Sequence, residues 1–191
     1  MAIQSLQREM GHAEALRKLC PSGPLSGLRR WINGPPRGVA EIYIPYCLYR
    51  VTIDDRRLQS VRHYAVDATA GTLDPYEFAS PSSYTLVEVE TRNLLPVRLS
   101  EIQTRNLVTE KVRRLLYSRG LFRIVDPKIR AELIKSEFYI PYWAGFYGDE
   151  DNLSLIVLNA VRRTVEGNKV CRLVKTWLLE RGPQHELNPA F

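Results

Sequence analysis

Two periods run through the apolar positions of this chain, and they divide it into helices and strands. Spacing of three and four residues, the mark of an amphipathic helix, links Ile3, Leu6, Met10, Ala13 and Leu16. It predicts a helix from about residue 3 to Cys20, stopped by Pro21, Gly23 and Pro24. A short helix is expected over Ser26–Ile32, before the Asn33-Gly34-Pro35-Pro36 break. Ser100-Glu101-Ile102-Gln103 matches a capping box and opens a helix with Val108, Val112, Leu115 and Leu116 turned inward, ending at Gly120. Asp126-Pro127 reads as an N-cap and N1 pair for another helix to about Ile134. The last helix carries Val170, Leu173, Val174, Trp177 and Leu178 on one face. Alternation, or an unbroken apolar run, marks the strands: Glu41–Ile53 with its return Ser60–Asp67, then Tyr84–Glu90, then a run from Glu137 with its return Leu153–Asn159. Turns are expected at Asp54–Arg57, at Ala68–Gly71, where glycine supplies a positive φ, and at Gly148–Asn152.

The strand stretch is stated twice. Glu41-Ile42-Tyr43-Ile44-Pro45-Tyr46 returns 96 residues later as Glu137-Phe138-Tyr139-Ile140-Pro141-Tyr142, with five of the six positions identical. Each copy leads through a turn to a return strand ending at Asp67-Ala68 or Asn159-Ala160. An internal repeat decides the fold, so the expected class is α+β. Two helix-plus-antiparallel-hairpin units would share or pair an antiparallel sheet, with the helices packed on one face. The units would span residues 1–90 and 91–181, followed by a loosely ordered tail over 182–191. Pro45 and Pro141, which cannot donate to a ladder, belong at a bulge or where the strand faces no neighbour.

Composition narrows the function classes more than it selects one. The chain has 191 residues, 45% of them hydrophobic and 25% charged, ordinary values for a globular protein. No apolar run approaches the roughly 20 residues a spanning helix needs, and residues 1–10 lack the apolar core of a signal peptide, so a cytoplasmic protein without a membrane partner is expected. Cys20, Cys47 and Cys171, like His12, His63 and His185, are scattered without metal-ligand spacing; no metal or cofactor is expected. Net charge is +6, unevenly spread. Residues 91–135 hold 11 basic and 4 acidic side chains, a net +7, whereas residues 41–90 hold 4 and 8, a net −4.

Three functions compete on these residues. Tyr and Trp combine apolar area with a polar tip, so the hairpin aromatics favour a non-enzymatic binding or assembly module. Its ligand-binding candidates are Tyr43, Tyr46, Tyr139, Tyr142 and Trp143, with Asp67 and Asn159 at the strand ends, and its sheet edges suit a homodimer. The alternative partner is nucleic acid, met by Arg105, Lys111, Arg113, Arg114 and Arg119; these arginines spread around the helix and match no known reading motif. An enzyme would gather Asp67, Asn159, His63 and Tyr64 between the hairpins, but their spacing assigns no catalytic residue. Glu88 and Glu90 share a strand face, the usual pattern of a solvated surface.

The segment Tyr64-Ala65-Val66-Asp67-Ala68-Thr69-Ala70-Gly71-Thr72-Leu73 resembles the closing hairpin of PepSY-type domains, in which a helix precedes a small antiparallel sheet and an apolar strand ends in Asp-Ala and a glycine turn. The resemblance implies the same helix-then-hairpin order, here in duplicate. The second copy departs from it, with Asn159 in place of the aspartate and no turn glycine. Such domains are usually extracytoplasmic and tied to peptidase regulation; the resemblance is carried over for the fold and not for that role. More broadly, the tyrosine-rich strand looks like bacterial domains of unknown function.

Overall fold

Two long antiparallel strands carry the molecule in the computed structural model, which describes residues 1–20, 36–55, 58–79, 84–118, 127–148 and 153–181. In chain order the elements are β1 (Ala2–Leu6), α1 (His12–Leu19), β2 (Gly38–Asp55), β3 (Leu58–Asp67), β4 (Tyr76–Phe78) and β5 (Leu86–Glu90). They continue with α2 (Glu101–Ser118), β6 (Lys128–Tyr147), β7 (Ser154–Asn159), β8 (Thr164–Val165) and α3 (Asn168–Arg181). All eight strands form one sheet in the order β4-β3-β2-β6-β1-β5, with β7 on β6 and β8 on β7. The class is α+β, as the two periods indicate.

The sheet is mixed, not purely antiparallel: β1 runs parallel to β6 at Ser5–Tyr139, and Leu94 makes a parallel bridge to Tyr43. Nor do the helices share one face. Along β2, Ile42, Ile44, Tyr46 and Leu48 point into a cluster with Val170, Leu173, Val174 and Trp177 of α3. The alternate residues Cys47, Tyr49, Val51 and Ile53 meet Val108, Val112 and Leu116 of α2, because successive strand residues face opposite sides. On β6, Trp143 faces Met10, Ala15 and Leu19, which puts α1 on the α2 side. From Ile42 to Tyr49 and from Phe138 to Gly145 the central strands are therefore covered on two faces, and this explains their unbroken apolar runs.

Residue 44 lies opposite residue 140, and the register about this pair explains how the prolines fit. Tyr43 donates its N–H to Asn93 O at 2.9 Å and accepts from Leu95 N at 2.9 Å, so its backbone groups point away from β6. Pro45, two residues on, has the same orientation: its carbonyl accepts from Ala68 N at 2.8 Å, and β6 never asks for its missing N–H. Pro141 repeats this, accepting from Ala160 N at 3.0 Å. A register shift follows between Tyr46 and Leu48, so the expected irregularity stands beside the proline.

One predicted helix, and the start of another, are replaced by strands. Residues 2–6 are β1 and only His12–Leu19 are helical, because Ile3 and Leu6 are buried beside Ser5 in the sheet. The helix predicted to Ile134 is the first part of β6, which starts at Lys128 and not Glu137; its exposure alternates from Lys128 to Lys135, the signature of a half-buried strand. The capping box is present, with Ser100 N–H donating to Gln103 Oε1 at 2.8 Å. The predicted helix at 26–32, the helix end at Gly120, most of the Gly148–Asn152 turn and the tail lie outside the described residues. Among the described residues no helix is long and apolar enough to cross a membrane.

Candidate functional site

The register that sets residue 44 against residue 140 brings Tyr46 and Tyr142 together on the α3 face, where their hydroxyls lie 3.0 Å apart. Each residue is 2% exposed. Burial, and for Tyr46 the neighbouring Tyr142, pushes both phenols well above the usual tyrosine range, so both stay protonated. A pair of hydroxyls owns two O–H donors, and the bond between them uses one. The second proton and the remaining lone pairs are available to whatever lies above.

Above them is a cleft of about 390 Å³. Tyr46, Tyr142 and Tyr76 line its floor, and Asn159 at the end of β7, Arg162 of the β7–β8 turn and Glu166 after β8, with Asp74 and Lys169, line its sides. The charges are held in place. Arg162 lies over the Tyr76 ring, 3.5 Å from its centroid, a cation–π distance. Lys169 Nζ donates to Asp74 Oδ1 at 2.6 Å, and Asn159 Nδ2 donates to Glu166 Oε1 at 2.9 Å. The first turn of α3 also borders the cleft and carries no acidic residue.

The sequence-predicted ligand residues divide between two faces. Tyr46, Tyr142 and Asn159 line the cleft. Asp67 pairs in register with Tyr46, but its buried carboxylate is spent on the turn after β3, accepting from Ala70, Gly71 and Leu73 N–H. Tyr43 and Tyr139 pack on the opposite face with Ile3, Val89 and Leu94; the Tyr139 hydroxyl donates to Glu137 at 2.7 Å. Trp143 is filled in beneath α1, its Nε1 donating to Met10 O at 2.9 Å. His63 stands opposite Arg50 on β3, with its pKa lowered by burial and then by Arg50. Tyr64 points the other way, into the α2 cluster. The structure thus does not bring His63 and Tyr64 to Asn159.

Of the basic side chains on α2, Arg105 pairs with Glu101 one turn back. Lys111 turns inward to the Leu73 carbonyl, and burial lowers its pKa. Arg113 and Arg114 are exposed, and Arg119 lies outside the described residues. Sequence reasoning missed Asp74, Tyr76 and Arg162, which come from turns and a short strand with no periodic signal, and Lys169, a polar residue in the first turn of α3. Among the described residues no group of three or more His, Cys, Asp or Glu converges as a metal site. No family model matches the chain, and neither a curated protein nor a solved structure matches it.

Proposed function

We propose that the chain is a non-enzymatic binding module whose cleft takes a small ligand bearing a hydrogen-bond acceptor, a carboxylate or carbonyl, seated on the Tyr46–Tyr142 pair. The observation that carries this reading is the buried hydroxyl pair, 3.0 Å apart, on the floor of a cleft of about 390 Å³, which is the size of a small-molecule site. The unspent O–H supplies a directional donor, while Arg162 and Lys169 give the rim its cations. Among the described residues the lining holds no histidine, cysteine or serine, and the phenols stay protonated, so the cleft offers hydrogen bonds and charge in preference to a nucleophile.

The same reading takes the chain as two helix-plus-hairpin units related by a local two-fold axis through Ile44 and Ile140. Its support is a set of matched contacts. Tyr46 and Tyr142, 96 residues apart, bond each other. Ala68 N–H bonds Pro45 O as Ala160 N–H bonds Pro141 O, and Leu99 N–H bonds Ala68 O as Met10 N–H bonds Ala160 O. Each helix then packs on the other unit's hairpin, α1 against Trp143 and Leu158 and α2 against Tyr49 and Val66. The cleft sits on this axis, where two equivalent tyrosines meet.

Ligand-observed NMR with a panel of small carboxylates and carbonyl compounds tests the proposal. We expect binders whose signals are lost in the Tyr46→Phe/Tyr142→Phe variant, which keeps the packing and removes both hydroxyls. Absence of any binder, or binding indifferent to that variant, overturns it.

A further inference from the structure

β6 is paired along its whole length on one side by β2, from Lys128 opposite Asp54 to Phe146 opposite Gly38. On its other side, β1 joins only at Tyr139 and β7 only from Tyr142. Among the described residues no strand pairs with this side of the stretch from Lys128 to Ile134. This leaves a seven-residue edge, Lys128–Ile134, without a partner strand on that side, the kind of edge that natural proteins otherwise shorten, cover or break.

The side chains on this edge alternate cleanly. Ile129, Ala131 and Leu133 are half-buried against the α2 cluster; Lys128, Arg130, Glu132 and Ile134 are exposed on the opposite face. We propose that the edge is a dimer interface, in which Lys128–Ile134 pairs antiparallel with the same segment of a second copy of this chain, centred on Ala131. A two-fold axis normal to the sheet keeps each face on its own side, so odd-numbered residues meet odd-numbered ones. Three central registers satisfy that rule. Centring on Arg130 sets guanidinium against guanidinium on the axis, although it also sets Lys128 against Glu132, and centring on Glu132 sets carboxylate against carboxylate. Centring on Ala131 sets Arg130 against Glu132 of the second copy, twice, and Lys128 against Ile134, whose apolar surface the lysine stem covers. On the other face Ile129 meets Leu133 of the second copy, which extends the apolar layer under α2 across the axis. Only this register is complementary in both charge and apolarity.

Within the chain, Glu132 lies 3.7 Å from Arg50 and is 74% exposed in its side chain, so it is free to serve a second arginine from across the axis. The neighbouring Lys135 is held elsewhere, its Nζ donating to Gln4 Oε1 at 2.7 Å.

Sedimentation equilibrium of the full chain tests the register, with circular dichroism as the check on folding. The wild type is expected to be a dimer. Arg130→Glu and Glu132→Arg each set like charges directly opposite one another at two symmetry-related places, and each should raise the dimer Kd by roughly tenfold or more. An equimolar mixture of the two variants should dimerise again, because positions 130 and 132 are then both acidic in one chain and both basic in the other. In a Cys20→Ser background, Ala131→Cys should form an intermolecular disulfide under mild oxidation, since the axis brings the two copies of position 131 together. A monomeric wild type overturns the proposal. So do variants that dimerise like the wild type, a mixture that stays monomeric, or an Ala131→Cys chain that does not cross-link.

Discussion

After Asp67 and after Asn159 the chain reverses through turns that share a left-handed fourth residue and differ in their chemistry. Both side chains are fully buried, both accept from backbone N–H groups of the turn, and in both the fourth residue on has a positive φ, 66° at Gly71 and 59° at Arg163. Asp67 accepts three N–H bonds, from Ala70, Gly71 and Leu73 at 2.7 to 2.9 Å. Asn159 accepts two, from Val161 and Arg162, and gives its own amide to Glu166. A carboxylate only accepts, so it suits a turn that presents three donors; an amide also needs an acceptor, and Glu166 is there to supply it. The first turn buries a charge, which Lys111 approaches while donating to the Leu73 carbonyl. The second keeps its charge outside, on Glu166 and Arg162 at the cleft. The left-handed residue is shared and the electrostatics are not, which leaves one turn's carboxylate inside the fold and the other's charges at the cleft.

Removing the capping side chains should separate the turns most. Asp67→Ala strands three donors and is expected to cost about 4 kcal/mol, against about 2 kcal/mol for Asn159→Ala, both read from urea midpoints; equal costs would erase the distinction. The left-handed residues come next. A Cβ on Gly71 would lie 2.4 Å from Leu107 Cδ1, and the positive φ adds strain, so Gly71→Ala should cost about 2 kcal/mol. Arg163→Gly trades relief of strain for its bonds to Glu14 and should change stability by no more than about 0.5 kcal/mol. The last test probes where the hairpins meet. Tyr46→Phe or Tyr142→Phe alone leaves one buried hydroxyl without its partner and should cost about 1 kcal/mol, whereas the double variant should cost less than the sum of the two. A double-mutant cycle reading zero coupling would mean the hydroxyls do not act as a pair.

The sequence made this comparison only half legible. Asp67 and Asn159 stand out at the ends of apolar return strands, and the register of the two Glu-x-Tyr-Ile-Pro-Tyr-like stretches is visible as a repeat. Arg163 is not legible as a turn residue, because nothing in an arginine announces a left-handed backbone, whereas Gly71 does. Two element assignments fail for related reasons. Ile3, Leu6 and Met10 fall on helical spacing by coincidence, since a strand followed by a turn places apolar residues there too. Asp126-Pro127 is a sound helix-start signal, overridden because Ile129, Ala131 and Leu133 alternate against the α2 cluster. α2 and α3 are readable because their apolar stripes are long and their ends are marked. The cleft is illegible, since Tyr76, Arg162 and Lys169 converge only after β4, the β7–β8 turn and α3 have been placed.

The placement of the first twenty residues also governs when the protein can fold. Ser5 Oγ donates to the carbonyl of Tyr139, 134 positions later, the Trp143 indole reaches Met10 across 133 positions, and the Tyr147 hydroxyl reaches Leu19 across 128. During synthesis β1 and α1 leave the ribosome long before β6 exists, and neither has a nearby stretch on which to settle. Folding that depends on such distant contacts is slow. The early hairpin of β2 and β3 must therefore wait with one long edge and much of an apolar face uncovered, a state that chaperones shield and that aggregation exploits.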